Sequence, residues 1–285
     1  MKVGLMGTGL MGQPMTLRLI EANFEVMAYN RTASKLEPLK ASGVQVVDAP
    51  QSLIAVSECI ILMLADASAI ETVLLSPESQ QELSGKTVIQ MGTIAPAESR
   101  SIAKRVKEAG GDYLEAPVLG SIPQVKSGTL QVMVGATEAQ FQKWYDLLKV
   151  FGEPVLIGSV GAAAATKLAL NQLIAALTSA FGLSLSFVEN QGADVEKFMQ
   201  ILRESALYAP TFDKKLQRMQ EGDYANPNFP TKHLLKDTNL FLKEADELGL
   251  NGSSLEGVKS LIEVALKLGK AEDDYSALFE AIKPQ

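Results

Sequence analysis

Along the first part of the chain, apolar residues gather in short runs separated by stretches where they recur every third or fourth position. The runs predict strands at Val3–Met6, Val26–Tyr29, Val44–Val47, Cys59–Leu64, Thr87–Met91, Asp112–Pro117, Gln131–Val134 and Pro154–Ile157. Helical patterns fall between them, for example Ala97–Glu108 and Glu138–Val150. Near-continuous apolar strands alternating with helices predict a mostly parallel sheet covered on both faces. From about Ala162 the strand pattern stops. A stretch of 21 uncharged residues, Leu168–Val188, opens a second region. Amphipathic helices are predicted near Asp194–Ser205, Thr211–Glu221, Thr231–Leu248 and Leu255–Lys270, interrupted by Pro227-Asn228-Phe229-Pro230. Two domains follow, an α/β domain over residues 1–161 and an all-α domain over 162–285, joined by a long helix at about 162–190.

The first strand runs straight into Gly7-Thr8-Gly9-Leu10-Met11-Gly12. This is G-x-G-x-x-G between a strand and an amphipathic stretch (Met15, Leu17, Leu19, Ile20), with a second apolar strand after it. In that context Gly7 makes a tight turn, Gly9 lets the backbone approach a pyrophosphate, and Gly12 lets helix and strand pack closely. The N-terminal domain is therefore expected to be a Rossmann-type dinucleotide-binding fold, with Thr8, Leu10 and Met11 completing the phosphate loop.

NAD-preferring enzymes usually place a carboxylate at the end of the second strand to bind the ribose 2′-hydroxyl. This chain has Asn30-Arg31-Thr32 there. No carboxylate repels a 2′-phosphate, Arg31 offers a planar cationic fork, and Asn30 and Thr32 add uncharged donors. The expected cofactor is NADP(H).

Composition narrows the remaining classes. The net charge of −7 argues against nucleic acid or an anionic membrane as partner. One cysteine, Cys59, excludes an internal disulfide and suits a reducing compartment. A first strand at residue 2 leaves no room for a leader peptide, so a cytoplasmic location is expected. Leu168–Val188 is long enough to span a bilayer, but it contains Asn171, Gln172, Thr178, Ser179, Ser184 and Ser186 and lacks a flanking basic cluster. It reads as a helix buried in protein. With one histidine, His233, no metal site is expected.

Reduction of a carbonyl by a hydride needs a proton donor for the oxygen. Lys167 stands out because it opens the apolar helix after Gly161-Ala162-Ala163-Ala164-Ala165-Thr166, with Asn171 four residues on and hence on the same helical face. A lysine with so little polar company loses solvation, which makes the ammonium a better acid. A lysine at a helix start that simply reaches water is the plain alternative.

Taken together, the glycine loop, Thr93 with Pro96, Glu115-Ala116-Pro117-Val118 with Gly128-Thr129-Leu130, Gly161 to Lys167 with Asn171, and Lys236-Asp237 resemble the β-hydroxyacid dehydrogenases over nearly the whole chain. That family includes 3-hydroxyisobutyrate dehydrogenase, tartronate semialdehyde reductase and glyoxylate/succinic semialdehyde reductase. Asn30-Arg31-Thr32 and Phe229–Asp237 look most like the glyoxylate/succinic semialdehyde branch. The resemblance implies that Lys167 is the catalytic proton donor in reduction and Asn171 its partner in the substrate site. It implies that Thr93 contacts the nicotinamide end and the substrate, that Met63, Leu64 and Lys236 line the cofactor, and that Phe229 and Asp237 close the pocket. His233 is expected to be structural. Family counterparts of the apolar helix help build dimers and tetramers, so a homodimer or homotetramer is expected.

The chain departs from the family pattern Asp-Ala-Pro-Val-Ser-Gly-Gly around the substrate carboxylate. Leu119 stands in place of the serine and Ser121 in place of the second glycine. Backbone N–H groups at Gly120 and Ser121 remain as candidates to hold the anion. Gln90-Met91-Gly92-Thr93 replaces Asp-x-Ser-Thr, and Ala163 replaces a glycine. The leading expectation is an NADPH-dependent reductase of small aldehyde acids. Oxidation of 3-hydroxyisobutyrate or another β-hydroxy acid, reduction of a cyclic imine, and a non-catalytic NADP-binding module are the alternatives.

Overall fold

A computed structural model describes residues 1–284, and its contacts separate two compact units, Met1–Lys167 and Leu168 onward. The first unit holds one sheet built from β1 (Lys2–Met6), β2 (Glu25–Tyr29), β3 (Gln45–Val46), β4 (Cys59–Leu62), β5 (Thr87–Gln90), β6 (Asp112–Glu115), β7 (Val118–Leu119), β8 (Leu130–Gly135) and β9 (Gly152–Gly158). The order is β3-β2-β1-β4-β5-β6-β8-β7, with β9 on β8. From β3 to β6 every pairing is parallel, in the register Val3↔Val26, Val3↔Cys59, Cys59↔Thr87 and Thr87↔Asp112. The helices between the strands are α1 (Gly12–Glu21), α2 (Glu37–Ala41), α3 (Pro50–Val56), α4 (Ala67–Leu74), α5 (Pro77–Gln81), α6 (Pro96–Glu108), α7 (Ile122–Ser127) and α8 (Glu138–Lys149).

Both faces are buried, as parallel strands under crossover helices must be. On one face Val3, Leu5, Cys59, Ile61, Ile89 and Leu114 pack against Met15 and Leu19 of α1 and Trp144, Leu147 and Leu148 of α8. On the other, Met6, Ile60, Leu62, Val88 and Tyr113 meet Leu53, Ile54, Ile70, Leu74, Ile102 and Val106. The alternation of Ile60 and Leu62 against Cys59 and Ile61 is the period of two along a strand. Burial pushes the Cys59 thiol far up from its ordinary value, so this cysteine is core and not a nucleophile.

The sheet is parallel from β3 to β6 and turns antiparallel beyond. Residues 118–121, where no strand is predicted, include β7, which pairs antiparallel with β8 through Val118↔Val132 and Leu119↔Gln131. A strand of two residues is too short to show a period. β6 also meets β8 antiparallel, at Glu115↔Gly135, and β9 returns parallel to β8. Several predicted strands end earlier than their apolar runs, β4 at Leu62, β5 at Gln90 and β6 at Glu115. In each case the residues left over form the loop beyond the strand's carboxyl end, where open α/β sheets bind ligands.

The 29-residue α9 (Ala162–Asn190) carries the chain into the second unit, followed by α10 (Val195–Arg203), α11 (Pro210–Glu221), α12 (Thr231–Glu247), α13 (Ser253–Lys267) and a 3-10 segment, Tyr275–Ala281. By length and composition α9 could cross a bilayer. Its buried positions nonetheless recur at helical spacing and pack within the protein. Ala175 joins Leu234, Leu255, Ile262 and Leu278, while Phe181 and Leu185 join Met199, Phe212, Met219 and Phe279. One buried ion pair ties this unit together, Lys215 Nζ to Asp274 at 2.7 and 2.9 Å, with Ser276 donating to the same carboxylate.

Candidate functional site

The glycine loop joins β1 to α1. Gly7 has φ +99°, and a Cβ there would lie 2.3 Å from the Met63 carbonyl oxygen. A Cβ at Gly12 would lie 1.8 Å from the Gly7 carbonyl oxygen, so helix and loop touch backbone to backbone. Gly9 differs: a Cβ would meet nothing within 4 Å. Packing does not require glycine at that position, and the open space is the approach a pyrophosphate needs. Among the described residues the N–H groups of Gly9, Leu10 and Met11 make no hydrogen bond, which leaves them available to an anion. The loop fits a dinucleotide phosphate on these grounds. Gly9→Val is expected to leave the melting temperature within about 2 °C of wild type, since it meets no protein atom, while NADPH affinity falls about tenfold or more because its side chain occupies the approach. Thermal melts beside NADPH titration check this; unchanged affinity would sink the cradle.

The turn after β2 is fastened to the same loop. Asn30 Oδ1 accepts from Thr8 N at 3.2 Å, and its Nδ2 donates to the Thr32 carbonyl at 3.0 Å. Asn30 therefore locks the phosphate loop to the β2 turn through its own side chain. Arg31 and Thr32 are exposed, and among the described residues no ion pair or hydrogen bond occupies the Arg31 guanidinium.

The loops after β4 and β5 gather beside this one. Met63 and Leu64 are half-buried, and Gly7 leans on both. A Cβ at Gly92 would lie 2.6 Å from the Leu64 carbonyl oxygen. Gln90 is buried and closes a local ring, accepting from Gly92 N at 2.7 Å and donating to its carbonyl at 3.1 Å. That ring sets the path into half-buried Thr93. In sequence Gln90 is only a departure from the family pattern, yet it shapes this turn.

After β7, Leu119 is half-buried and Gly120 is exposed with φ +135°. The Ser121 N–H and hydroxyl both donate to Gln124 Oε1, at 2.9 and 2.8 Å. Of the two N–H groups considered for a carboxylate, that of Ser121 is thus engaged. That of Gly120 makes no hydrogen bond among the described residues.

Lys167 lies half-buried in the second turn of α9, at the end of the first unit. The start of its helix is anchored by Glu115, a residue that the sequence marks only as part of a motif. Glu115 Oε1 accepts from the N–H groups of Gly161, Ala163 and Ala164.

In the second unit, Asn171 and Asp237 are both buried, and Asn171 Nδ2 donates to Asp237 Oδ2 at 2.6 Å. Lys236 Nζ lies 2.9 Å from Asp237 Oδ1, an ion contact without hydrogen-bond alignment. Asn171 Oδ1 is buried without a hydrogen-bond partner among the described residues. A buried orphan acceptor costs about 1–3 kcal/mol, so it marks a place where a donor belongs. Phe229 is half-buried, with its ring 6.5 Å from that of His233 and 5.9 Å from that of Tyr275.

His233 is held below its ordinary value of 6.5, first by burial and then by Lys236 and Lys232, so it is neutral at neutral pH. The unfolded chain takes up this proton near pH 6.5 and the folded one resists it, so stability is lost as pH falls below that value. His233→Gln should therefore show a smaller drop in melting temperature between about pH 7.5 and about pH 5.5 than wild type. An equal drop in both would remove this account.

Comparison with known proteins agrees with this layout. A family model described as the NAD binding domain of 6-phosphogluconate dehydrogenase matches residues 2–161, and one described as NAD-binding of NADP-dependent 3-hydroxyisobutyrate dehydrogenase matches residues 161–282. The chain is 32% identical over 287 residues to 2-hydroxy-3-oxopropionate reductase of Escherichia coli (strain K12), covering 99% of this chain and 97% of that protein. It is 30% identical to glyoxylate/succinic semialdehyde reductase 1 of Arabidopsis thaliana, covering 99% of each. In fold it is similar to the Mycobacterium tuberculosis 3-hydroxyisobutyrate dehydrogenase solved with L-serine, with a TM-score of 0.90 over 99% of each chain at 19% identity. Over residues 2–282 the chain belongs to the 3-hydroxyisobutyrate dehydrogenase family of NAD(P)-dependent hydroxyacid dehydrogenases, enzymes that act on CH–OH groups with a nicotinamide cofactor.

Proposed function

We propose that the chain is an NADPH-dependent reductase of small aldehyde acids, such as succinic semialdehyde or glyoxylate, yielding the hydroxy acid. The observation that carries this reading is Lys167, half-buried in the second turn of α9 within the same compact unit as the glycine loop. Relatives named for glyoxylate, succinic semialdehyde and 2-hydroxy-3-oxopropionate support the substrate class.

When bound, the reduced nicotinamide supplies a hydride to the carbonyl carbon. The loop of residues 7–12 holds the pyrophosphate, and Arg31 holds the 2′-phosphate that selects NADPH. Met63, Leu64 and Lys236 line the cofactor, and Thr93 orients its nicotinamide end. The Lys167 ammonium gives a proton to the carbonyl oxygen as charge builds there. Asn171 Oδ1 accepts from the hydroxyl of the product, which gives that orphan acceptor a partner. The Gly120 N–H takes the substrate carboxylate. Leu119 supplies apolar contact where a hydroxyl would otherwise stand, while Phe229 and Asp237 close the substrate site. Leu173, Leu183 and Phe187 are exposed along α9, which supports assembly into at least a homodimer.

The test is NADPH consumption by the purified protein with succinic semialdehyde and with glyoxylate, repeated with NADH. Turnover with NADPH and little with NADH is expected. No turnover with either aldehyde while NADPH still binds would overturn the substrate class.

A further inference from the structure

Glu115 is a charged side chain only 1% exposed, at the last position of β6. Burying a carboxylate is costly unless its oxygens are hydrogen-bonded. This one is fully served. Oε1 accepts from Gly161 N at 2.8 Å, Ala163 N at 2.8 Å and Ala164 N at 3.1 Å. Oε2 accepts from the Ser99 hydroxyl, and Ser99 Oγ lies 2.8 Å from the Tyr113 hydroxyl. Burial holds the Tyr113 hydroxyl protonated, well above its ordinary range. Space for the carboxylate comes from Gly135 on β8, where a Cβ would fall 2.4 Å from Oε1.

The first N–H groups of a helix have no partner inside it. At α9 every one of them is accounted for: Ala162 N donates to the Ser159 carbonyl at 3.0 Å, and Gly161, Ala163 and Ala164 donate to Glu115. Helices are usually capped by a serine, threonine or aspartate at the N-cap itself. Here the N-cap is Gly161 at φ +101°, a backbone that carries no cap of its own, and the cap comes from 46 residues upstream on the sheet. A local cap would stabilise the helix equally well. A cap from β6 does more, because it fixes the start of α9 to the sheet that carries the cofactor loops.

Lys167 sits one turn past the last capped N–H, and helical side chains lean back toward the N-terminus. The position of its ammonium is therefore set by the turn that Glu115 grips. We propose that Glu115 is a positioning residue for proton transfer, holding the first turn of α9 so that Lys167 meets the carbonyl oxygen. The proposal rests on the reading of Lys167 as proton donor.

The test measures kcat per bound NADPH, with the dissociation constant for NADPH and the melting temperature, in Glu115→Ala, Glu115→Gln and Lys167→Ala. Glu115→Ala should lower kcat about tenfold or more, since ångström-scale misplacement costs up to about 10²-fold, while NADPH affinity stays within about twofold. Glu115→Gln should recover most of the rate, because its amide oxygen accepts the same three N–H bonds and its NH2 donates to Ser99. A role in stability alone would lower the melting temperature and leave kcat per bound NADPH unchanged. That result, with Lys167→Ala inactive, overturns the proposal and leaves the reading of Lys167 intact. Lys167→Ala at full rate overturns both. Should Glu115→Ala fail to fold, Glu115→Met carries the test: it fills the same space but accepts no hydrogen bond from the start of α9, and an unchanged kcat per bound NADPH in it overturns the proposal.

Discussion

Lys167→Ala is expected to lose about 10²–10⁴-fold in turnover, the range supplied by a positioned general acid, while NADPH affinity stays within about threefold of wild type. The asymmetry follows from where the residue sits. Its helix begins at Ala162, whereas the groups offered to the dinucleotide phosphates are the N–H groups of Gly9, Leu10 and Met11 after β1. Removing the ammonium takes away a proton donor and leaves the cradle in place. Lys167→Arg sharpens the reading. Guanidinium keeps the positive charge but does not release its proton near neutral pH, so a group needed only for charge would be replaced and one needed for its proton would not. Steady-state turnover and an NADPH fluorescence titration, run side by side, separate the cases. An alanine variant turning over within about threefold of wild type would mean that another group protonates the oxygen, and an active arginine variant would mean that charge alone suffices.

The glycine loop is legible in the sequence because three of its features are local. Gly7 is demanded by its own φ of +99°, Gly12 by the nearby Gly7 carbonyl and Gly9 by open space, and all three fall between a strand and a helix that declare themselves by period. Strands β1, β4 and β5 are equally plain, since parallel strands covered by helices on both faces must be buried along most of their length. What stays hidden is what depends on distance along the chain. The cap that Glu115 gives α9 joins residues 46 to 49 positions apart, and in sequence Glu115 is merely a charge at the end of an apolar run. Asn30 reads in sequence as an uncharged donor beside the 2′-phosphate, whereas its amide oxygen accepts from Thr8, 22 residues away, and its NH2 donates to Thr32. Ser121 offers a hydroxyl and an N–H by its residue type, and a glutamine three residues on takes both. In each case the residue type is visible and its partner is not. Strand β7 escapes for a different reason: two residues carry no period, and β8 supplies the pairing that makes them a strand.

Arg31→Ala is expected to weaken NADPH binding about 10²-fold and NADH binding less than about threefold, because a hydrogen bond to a charged group is worth about 1.5–3 kcal/mol and only NADPH carries the 2′-phosphate. The fold makes this a clean substitution. Arg31 is exposed, its guanidinium has no partner among the described residues, and the turn beneath it is held by Asn30 through Thr8 and Thr32. Truncating Arg31 therefore removes the fork without loosening the loop that cradles the pyrophosphate. The contact is exposed, so salt should screen it, and the gap between the two cofactors should narrow as ionic strength rises toward about 1 M, where the Debye length is about 3 Å. Paired titrations of wild type and variant with NADPH and NADH at low and high salt test both parts. Equal losses for the two cofactors would move Arg31 from the 2′-phosphate to a group they share. No loss for either would make it a solvated charge, and the preference for NADPH would then have to rest on the absence of a carboxylate at the end of β2, an absence that tolerates a phosphate without attracting one.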